Sequence, residues 1–493
     1  MLFHKHLHPS NFEFVKSSKA SKSSLGPDKV SWCVQRLRHD VFRITVKGPG
    51  WEENLSQSEL AIKPAQKGVA SLDVAADLSL TLTDADGQVL LRSPAGQAFG
   101  KCGTASMFTF CYENSFQFYG MGEKMFPMER SGRRTNFWNT DVMADFDWRV
   151  YETGSPDPMY VSIPYLIVKN GNAYVGLLYN NPFASFISTQ PVNSLFGKPI
   201  VENDPSASVF WIGSTDGQPD LFIIPGPSLA DVTRKLQDLV GKVPCPPAWA
   251  LGYHQSRWGY ESQQDVDAIN YNLDRYRFPC DAIWLDVDYM DDFRIFGFDT
   301  RKFPDVKKTT AALAKKNRHL VPLLDPGVKL DPDFSVFQSG EKADIWCKTP
   351  HGRPFVGLVW PGETVFPDFS IKAGRNWWSA NVKRFASQGI DGCWLDLNDP
   401  STGYVDYEAM LFDHGTRPHA AFHNQYALGM ARASHEGFLK AHPNQRPFML
   451  CRSGFTGSSK YTAIWTGDNI SNNHYLRISI PCSLNLSLSG IPF

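Results

Sequence analysis

Five aspartates, Asp286, Asp288, Asp325, Asp396 and Asp468, stand at or just beyond the ends of short apolar runs. One aspartate in such a place is as well explained by a helix cap or a rim ion pair. Five on one face are harder to explain that way, because like charges brought together raise one another's pKa and destabilise the fold. Clusters of that kind bind a metal or do acid–base work. Three have a tryptophan close upstream: Trp284 before Asp286, Trp394 before Asp396 and Trp465 before Asp468. A metal cage favours His or further carboxylates at ligand spacing, whereas carboxylates beside flat apolar rings suit a sugar pocket. Glycoside cleavage needs two carboxyl groups, one ionised to attack the anomeric carbon and one protonated to release the leaving oxygen. Retention of configuration needs them roughly 5–5.5 Å apart. Residues ending neighbouring or next-but-one strands of one barrel can reach that separation.

The elements that must position these side chains follow from the pattern around them. Ala282-Ile283-Trp284-Leu285 ends at Asp286, His319 to Leu324 ends at Asp325, and Ile390 to Leu395 ends at Asp396. Pro447 to Leu450 runs up to Arg452, and Ala463-Ile464-Trp465 ends near Asp468. Ala250 to Tyr253 is a further strand candidate. Between them lie helical stretches: Ser262 with Asp265 is an N-terminal cap signature, and Val266, Ile269, Leu273 and Tyr276 mark one helical face. Alternating units with near-continuous apolar strands imply a parallel sheet. Both a (β/α)8 barrel and a doubly wound sheet place their sites at strand C-termini. No phosphate-cradling G-x-G-x-x-G follows any of these strands, and Gly120-Met121-Gly122 reads as a turn.

The earlier half differs in style. Val41 to Val46 and Leu78 to Thr83 alternate, and Ala173 to Tyr179 runs into Asn180-Asn181-Pro182, as short strands of an all-β sandwich do. Leu229 to Leu239 has helical spacing, and Val243-Pro244-Cys245-Pro246-Pro247 reads as a stiff linker. The expected organisation is a mobile arm over 1–28, a β-sandwich over 29–227, a helix and Pro-rich linker over 228–248, and a barrel over 249–493. With 493 residues the chain exceeds one compact core.

A net charge of -1 leaves no basic stripe for nucleic acid. Aromatic residues at 13% suit either a large core or the apolar faces of sugar rings. The 9 cysteines form no C-x-x-C pair and no zinc spacing, so buried free thiols in a reducing, cytoplasmic setting are expected. The N-terminus has no apolar stretch of signal-peptide kind, and no run of 18 apolar residues suggests a membrane span.

These motifs resemble glycoside hydrolase family 31, the α-glucosidase family, from about Tyr119 to Phe493. Trp394-Leu395-Asp396-Leu397-Asn398-Asp399-Pro400 is similar to the nucleophile motif on the fourth barrel strand. Arg452 to Gly457 and Trp465-Thr466-Gly467-Asp468-Asn469 resemble the fifth and sixth strands. The resemblance implies Asp396 as nucleophile, Asp468 as acid/base and Arg452 as the cation that keeps the nucleophile ionised. It implies Asp286, on a second strand like the family's, as a ligand of sugar hydroxyls, with Val287, Trp394, Leu397 and Trp465 lining the pocket. Trp360 would supply an aromatic wall. Asp141, in Trp138-Asn139-Thr140-Asp141, would reach over the −1 subsite, and His423 in His423-Asn424-Gln425-Tyr426 reads as structural.

The family usually has Asn-Glu-Pro where Asn398-Asp399-Pro400 stands, so a shorter carboxylate shifts the pocket floor. Ile295 to Asp299 replaces the common Phe-Thr-Trp-Asp. Ser489 to Phe493 resembles the start of a seventh strand, so a truncated chain with an unclosed barrel, poorly stable and weakly active, is expected. The implied partner is a small α-glucoside or oligosaccharide, with no cofactor, metal, nucleic acid or membrane. Linkage preference and oligomeric state stay open. A family α-glucan lyase, a transglucosidase and a non-catalytic sugar-binding chain are the alternative readings.

Overall fold

The structure, a computed structural model, describes residues 12–15, 30–143, 156–195, 198–201, 204 and 206–492. They fall into two compact units: Met1–Trp138, Phe146–Lys242 and Asp468–Phe493 form one, Asn139–Asp145 and Val243–Gly467 the other.

The first unit is built on two six-stranded sheets in which every strand pair is antiparallel. The alternation of Phe42–Lys47 turns Phe42, Ile44 and Val46 inward. Those residues share one core with Leu177 and Ile223 of the same sheet and with Phe108, Phe110, Phe210 and Ile212 of the other. Two sheets closing on one apolar layer are the expected β-sandwich. Of the arm expected over 1–28, residues 1–11 and 16–28 lie outside the described residues; Glu13–Phe14 pairs antiparallel with Lys101 and Gly100. Helix α1 (Leu229–Val240) starts at Ser228, whose side chain accepts from Asp231 N, and ends at Gly241, whose φ of 104° suits glycine.

The second unit carries a six-stranded sheet whose spatial order equals its chain order. We label its strands β1 (His254–Gln255), β2 (Ala282–Leu285), β3 (His319–Leu324), β4 (Gly392–Leu395), β5 (Phe448–Cys451) and β6 (Ala463–Ile464). All neighbouring pairs are parallel. Four connections run through helices α2 (Gln263–Arg275), α3 (Val306–Ala314), α4 (Ser335–Lys342) with α5 (Lys372–Ala386), and α6 (Tyr426–Ala441). Chain-ordered parallel strands with helical crossovers form the wall of a (β/α)8 barrel, here six strands of it. The all-β unit followed by this sheet gives the expected fold class.

The cap on α2 is a full capping box between Ser262 and Asp265. The first strand lies elsewhere than expected. Ala248–Leu251 forms a 3-10 turn after Pro247, and the ladder starts at the polar pair His254–Gln255. A proline pair just before and Gly252 just after let that apolar run curl rather than extend. Helix α7 (Asn473–Leu488) belongs to the first unit, and residues 489–492, similar in sequence to the approach to a seventh strand, form the turn after it. Among the described residues no helix is long and apolar enough to cross a membrane.

Candidate active site

Side chains two apart on a strand share a face. On the barrel strands Ala282, Trp284, Val321, Trp394, Phe448 and Leu450 pack together as an apolar layer. Further along the same face come Asp286, Asp396 and Arg452, two residues beyond Trp284, Trp394 and Leu450, and Asp325, four residues beyond Val321. The register pairs Leu323 with Trp394 and Trp394 with Leu450. Extending it by two residues sets Asp325, Asp396 and Arg452 in one row across β3, β4 and β5. Asp396 N donates to Leu324 O at 3.3 Å and Arg452 N to Leu395 O at 3.0 Å, so the ladder continues through this row.

Arg452 is 2% exposed and organises the row. Its Nε is 3.1 Å from Asp396 Oδ1, in an ion pair. Its Nη2 donates to Asp399 Oδ1 at 2.6 Å and to Ser401 Oγ at 2.8 Å, and lies 3.5 Å from Asp141 Oδ2. Ser401 Oγ sits 2.7 Å from Asp399 Oδ2 and 2.9 Å from Asp141 Oδ2. One guanidinium thus ties three carboxylates, from β4, the turn after it, and the 139–143 loop. That planar cation with several N–H donors suits this role better than a point charge.

Asp396 Oδ1 also accepts from Leu397 N at 2.8 Å, and Leu397 takes a φ of 49°. A left-handed non-glycine residue at that point is sterically costly and fixes the turn leaving β4. Asn398 is buried, with Nδ2 3.0 Å from Cys451 Sγ and Oδ1 accepting from Ser453 N at 3.2 Å. Asp399 is 2% exposed and anchors Arg452. Asp399 and Ser401 escape a reading by strand ends, since neither lies at one; Asp399 is marked by its place in the Asn398-Asp399-Pro400 motif, and Ser401 only by following that acid by two positions.

The 139–143 loop is held from below. Asn139 N donates to Asn424 Oδ1 at 2.8 Å and Asn139 Nδ2 to Asn424 O at 3.0 Å. His423 Nε2 lies 2.7 Å from Asn139 O, and His423 Nδ1 lies 2.7 Å from His419 Nε2. Burial pushes the His423 pKa down to about 3 and that of His419 well below its ordinary value, with His423 adding to the effect on His419.

Asp286 Oδ1 accepts from Val287 N at 2.7 Å and so caps the short turn Val287–Tyr289; Val287 itself is buried. The Trp394 ring lies between Trp284 and Trp465, at 6.1 and 5.7 Å. Trp394 Nε1 donates to Leu285 O at 3.0 Å. Trp360 is exposed, its ring 5.7 Å from Trp258 and 6.1 Å from Phe293, and Trp258 Nε1 donates to Asp288 Oδ2 at 2.6 Å. Asp468 follows β6 by four residues, is exposed, and is counted with the first unit. The geometry of the second unit therefore brings Asp141, Asp396 and Arg452 together, with Asp286 one step back on β2.

A row of carboxylates and one guanidinium at the C-terminal ends of parallel barrel strands defines a scaffold of the barrel-type glycoside hydrolase class. Residues 243–493 match the glycosyl hydrolases family 31 TIM-barrel domain, and residues 9–187 match the glycosyl hydrolase 31 N-terminal galactose mutarotase-like domain. The chain belongs to glycosyl hydrolase family 31. It is 35% identical over 486 residues to alpha-glucosidase 2 of Bacillus thermoamyloliquefaciens, covering 93% of this chain and 59% of that protein. The solved family 31 alpha-glucosidase from Bacteroides thetaiotaomicron superposes with a TM-score of 0.65 at 34% identity, over 78% of this chain and 60% of that one. An ER glucosidase II heterodimeric complex matches in fold, with a TM-score of 0.79 at 23% identity over 94% of this chain and 59% of that one. The chain thus spans about three fifths of the length of these proteins.

Proposed function

We propose that this chain carries the −1 subsite of a retaining α-glucosidase that releases terminal α-linked glucose through a covalent glycosyl-enzyme. Asp396 is the nucleophile and Asp468 the acid/base. The observation that carries the reading is the Arg452 contact at 3.1 Å, which favours the ionised form of Asp396. Asp468 protonates the glycosidic oxygen as Asp396 attacks the anomeric carbon. After the leaving group departs, Asp468 takes a proton from water, which opens the ester. Asp141 and Asp286 accept hydrogen bonds from sugar hydroxyls. Trp360, Trp394 and Trp465 offer rings to the apolar sugar face, and Leu397 shapes the floor beside the nucleophile. Family membership and the alpha-glucosidase relatives support this reading.

Nine free cysteines, six of them buried, support a reducing, cytoplasmic setting. The test is glucose release from p-nitrophenyl α-D-glucopyranoside and maltose by the 493-residue chain and its Asp396→Ala variant. Turnover that vanishes in the variant supports the reading. Turnover that survives overturns the assignment of Asp396.

A further inference from the structure

Asp325 has no place in the reaction just described, yet the fold puts it beside the nucleophile. It ends β3, the strand next to β4, and shares the row of Asp396 and Arg452. Neighbouring strands lie roughly 4.8 Å apart. Asp325 is 4% exposed, and its Oδ1 is buried without a hydrogen-bond partner. Arg452 is shared among Asp396, Asp399 and Asp141, so its pull on Asp325 is divided with three other carboxylates. A fourth anion here would be a buried charge without its own counterion, which proteins avoid by neutralising the group.

We propose, building on the assignment of Asp396, that Asp325 is a positioning residue carried as an uncharged carboxylic acid. Its O–H serves as a hydrogen-bond donor toward the Asp396 row and holds the nucleophile in its ionised, attacking form. The charged and titratable groups around it point the same way. Burial first and Asp396 second push its pKa well up, Arg452 pulls against them, and Asp286 and Asp399 add to the rise. The Tyr289 phenol, close enough to Asp325 for its own pKa to be raised further, donates to Leu323 O at 2.7 Å and supplies no countercharge. A neutral acid adds no repulsion to the nucleophile and still offers one proton to share.

Asp325→Asn keeps the shape and an N–H donor without the charge, whereas Asp325→Ala removes both. The expectation is kcat/KM within roughly threefold of the parent for Asp325→Asn and at least roughly tenfold lower for Asp325→Ala. The acid limb of the kcat/KM profile, which follows the free nucleophile, stays in place in Asp325→Asn and moves to higher pH in Asp325→Ala. A packing role would leave that limb unmoved. Infrared difference spectra of parent against Asp325→Asn at pH 7 read the proton directly, whatever the activity. A protonated-carboxyl carbonyl band present only in the parent supports the proposal. Its absence, or a loss in Asp325→Asn as large as in Asp325→Ala, overturns it. Because the band needs no turnover, it separates failure here from failure of the nucleophile assignment.

Discussion

Arg452 Nε stands 3.1 Å from Asp396 Oδ1 while Nη2 of the same guanidinium donates to Asp399 Oδ1 at 2.6 Å. The cation that would keep the nucleophile ionised is therefore itself fixed by a carboxylate that takes no part in bond breaking. Asp399 is buried, so the family departure at this position bears on how Arg452 is anchored.

Removing Arg452 should uncouple these groups. Arg452→Ala is expected to lower kcat/KM by roughly 10²–10³-fold, the usual cost of losing one preorganised electrostatic contact. It also leaves Asp399 buried with Ser401 as its remaining close partner in this network, a loss of about 3 kcal/mol or more in stability. Arg452→Lys keeps the charge but cannot fork between three carboxylates, so it should fall between Ala and the parent. Steady-state kinetics with a urea titration checks both quantities.

The acid/base role of Asp468 makes a prediction that depends on the leaving group. Maltose needs a proton on its departing oxygen, whereas p-nitrophenolate leaves with little help. Asp468→Ala should slow maltose hydrolysis by roughly 10²–10⁴-fold and slow attack on the nitrophenyl glucoside much less. Equal losses on the two substrates would remove Asp468 from that role.

The buried imidazoles set a pH dependence of stability. His423 is held down at about 3, whereas in the unfolded chain it titrates near 6.5. Between those values the unfolded state binds more protons, so stability is full above about pH 6.5 and is lost as pH falls toward 3. One such group contributes a slope of about 1.4 kcal/mol per pH unit. His423→Gln should flatten the fall in unfolding free energy between pH 6.5 and 4 by about that amount, measured as a difference from the parent. An unchanged slope would mean that the ring is charged in the folded protein.

Much of the barrel was legible because β2, β3 and β4 are short, largely apolar and each run directly into an aspartate. The row Asp325–Asp396–Arg452 is what that pattern looks like when strands pair in register. The sandwich was legible for the matching reason, with Phe42, Ile44 and Val46 alternating with polar neighbours. The first barrel strand was not, because Ala250-Leu251 looks extended by composition while Pro247 and Gly252 bend it. Ser401 was not legible either: its link to Asp141 crosses 260 positions, and no local spacing records a contact between a loop and a turn that distant. Asp325 showed at its strand end, but the absence of a partner for Oδ1 is a property of packing alone.

The central claim is that Asp396 forms the bond to glucose, and trapping that bond tests it most directly. A 5-fluoro-glucosyl fluoride slows the second step more than the first and lets the ester accumulate. Digestion and mass spectrometry of the inactivated chain should place one fluoroglucosyl group on the peptide containing Asp396, and Asp396→Ala should take up none. A label carried by Asp286, Asp325 or Asp468 instead, or turnover in Asp396→Ala, would contradict the account.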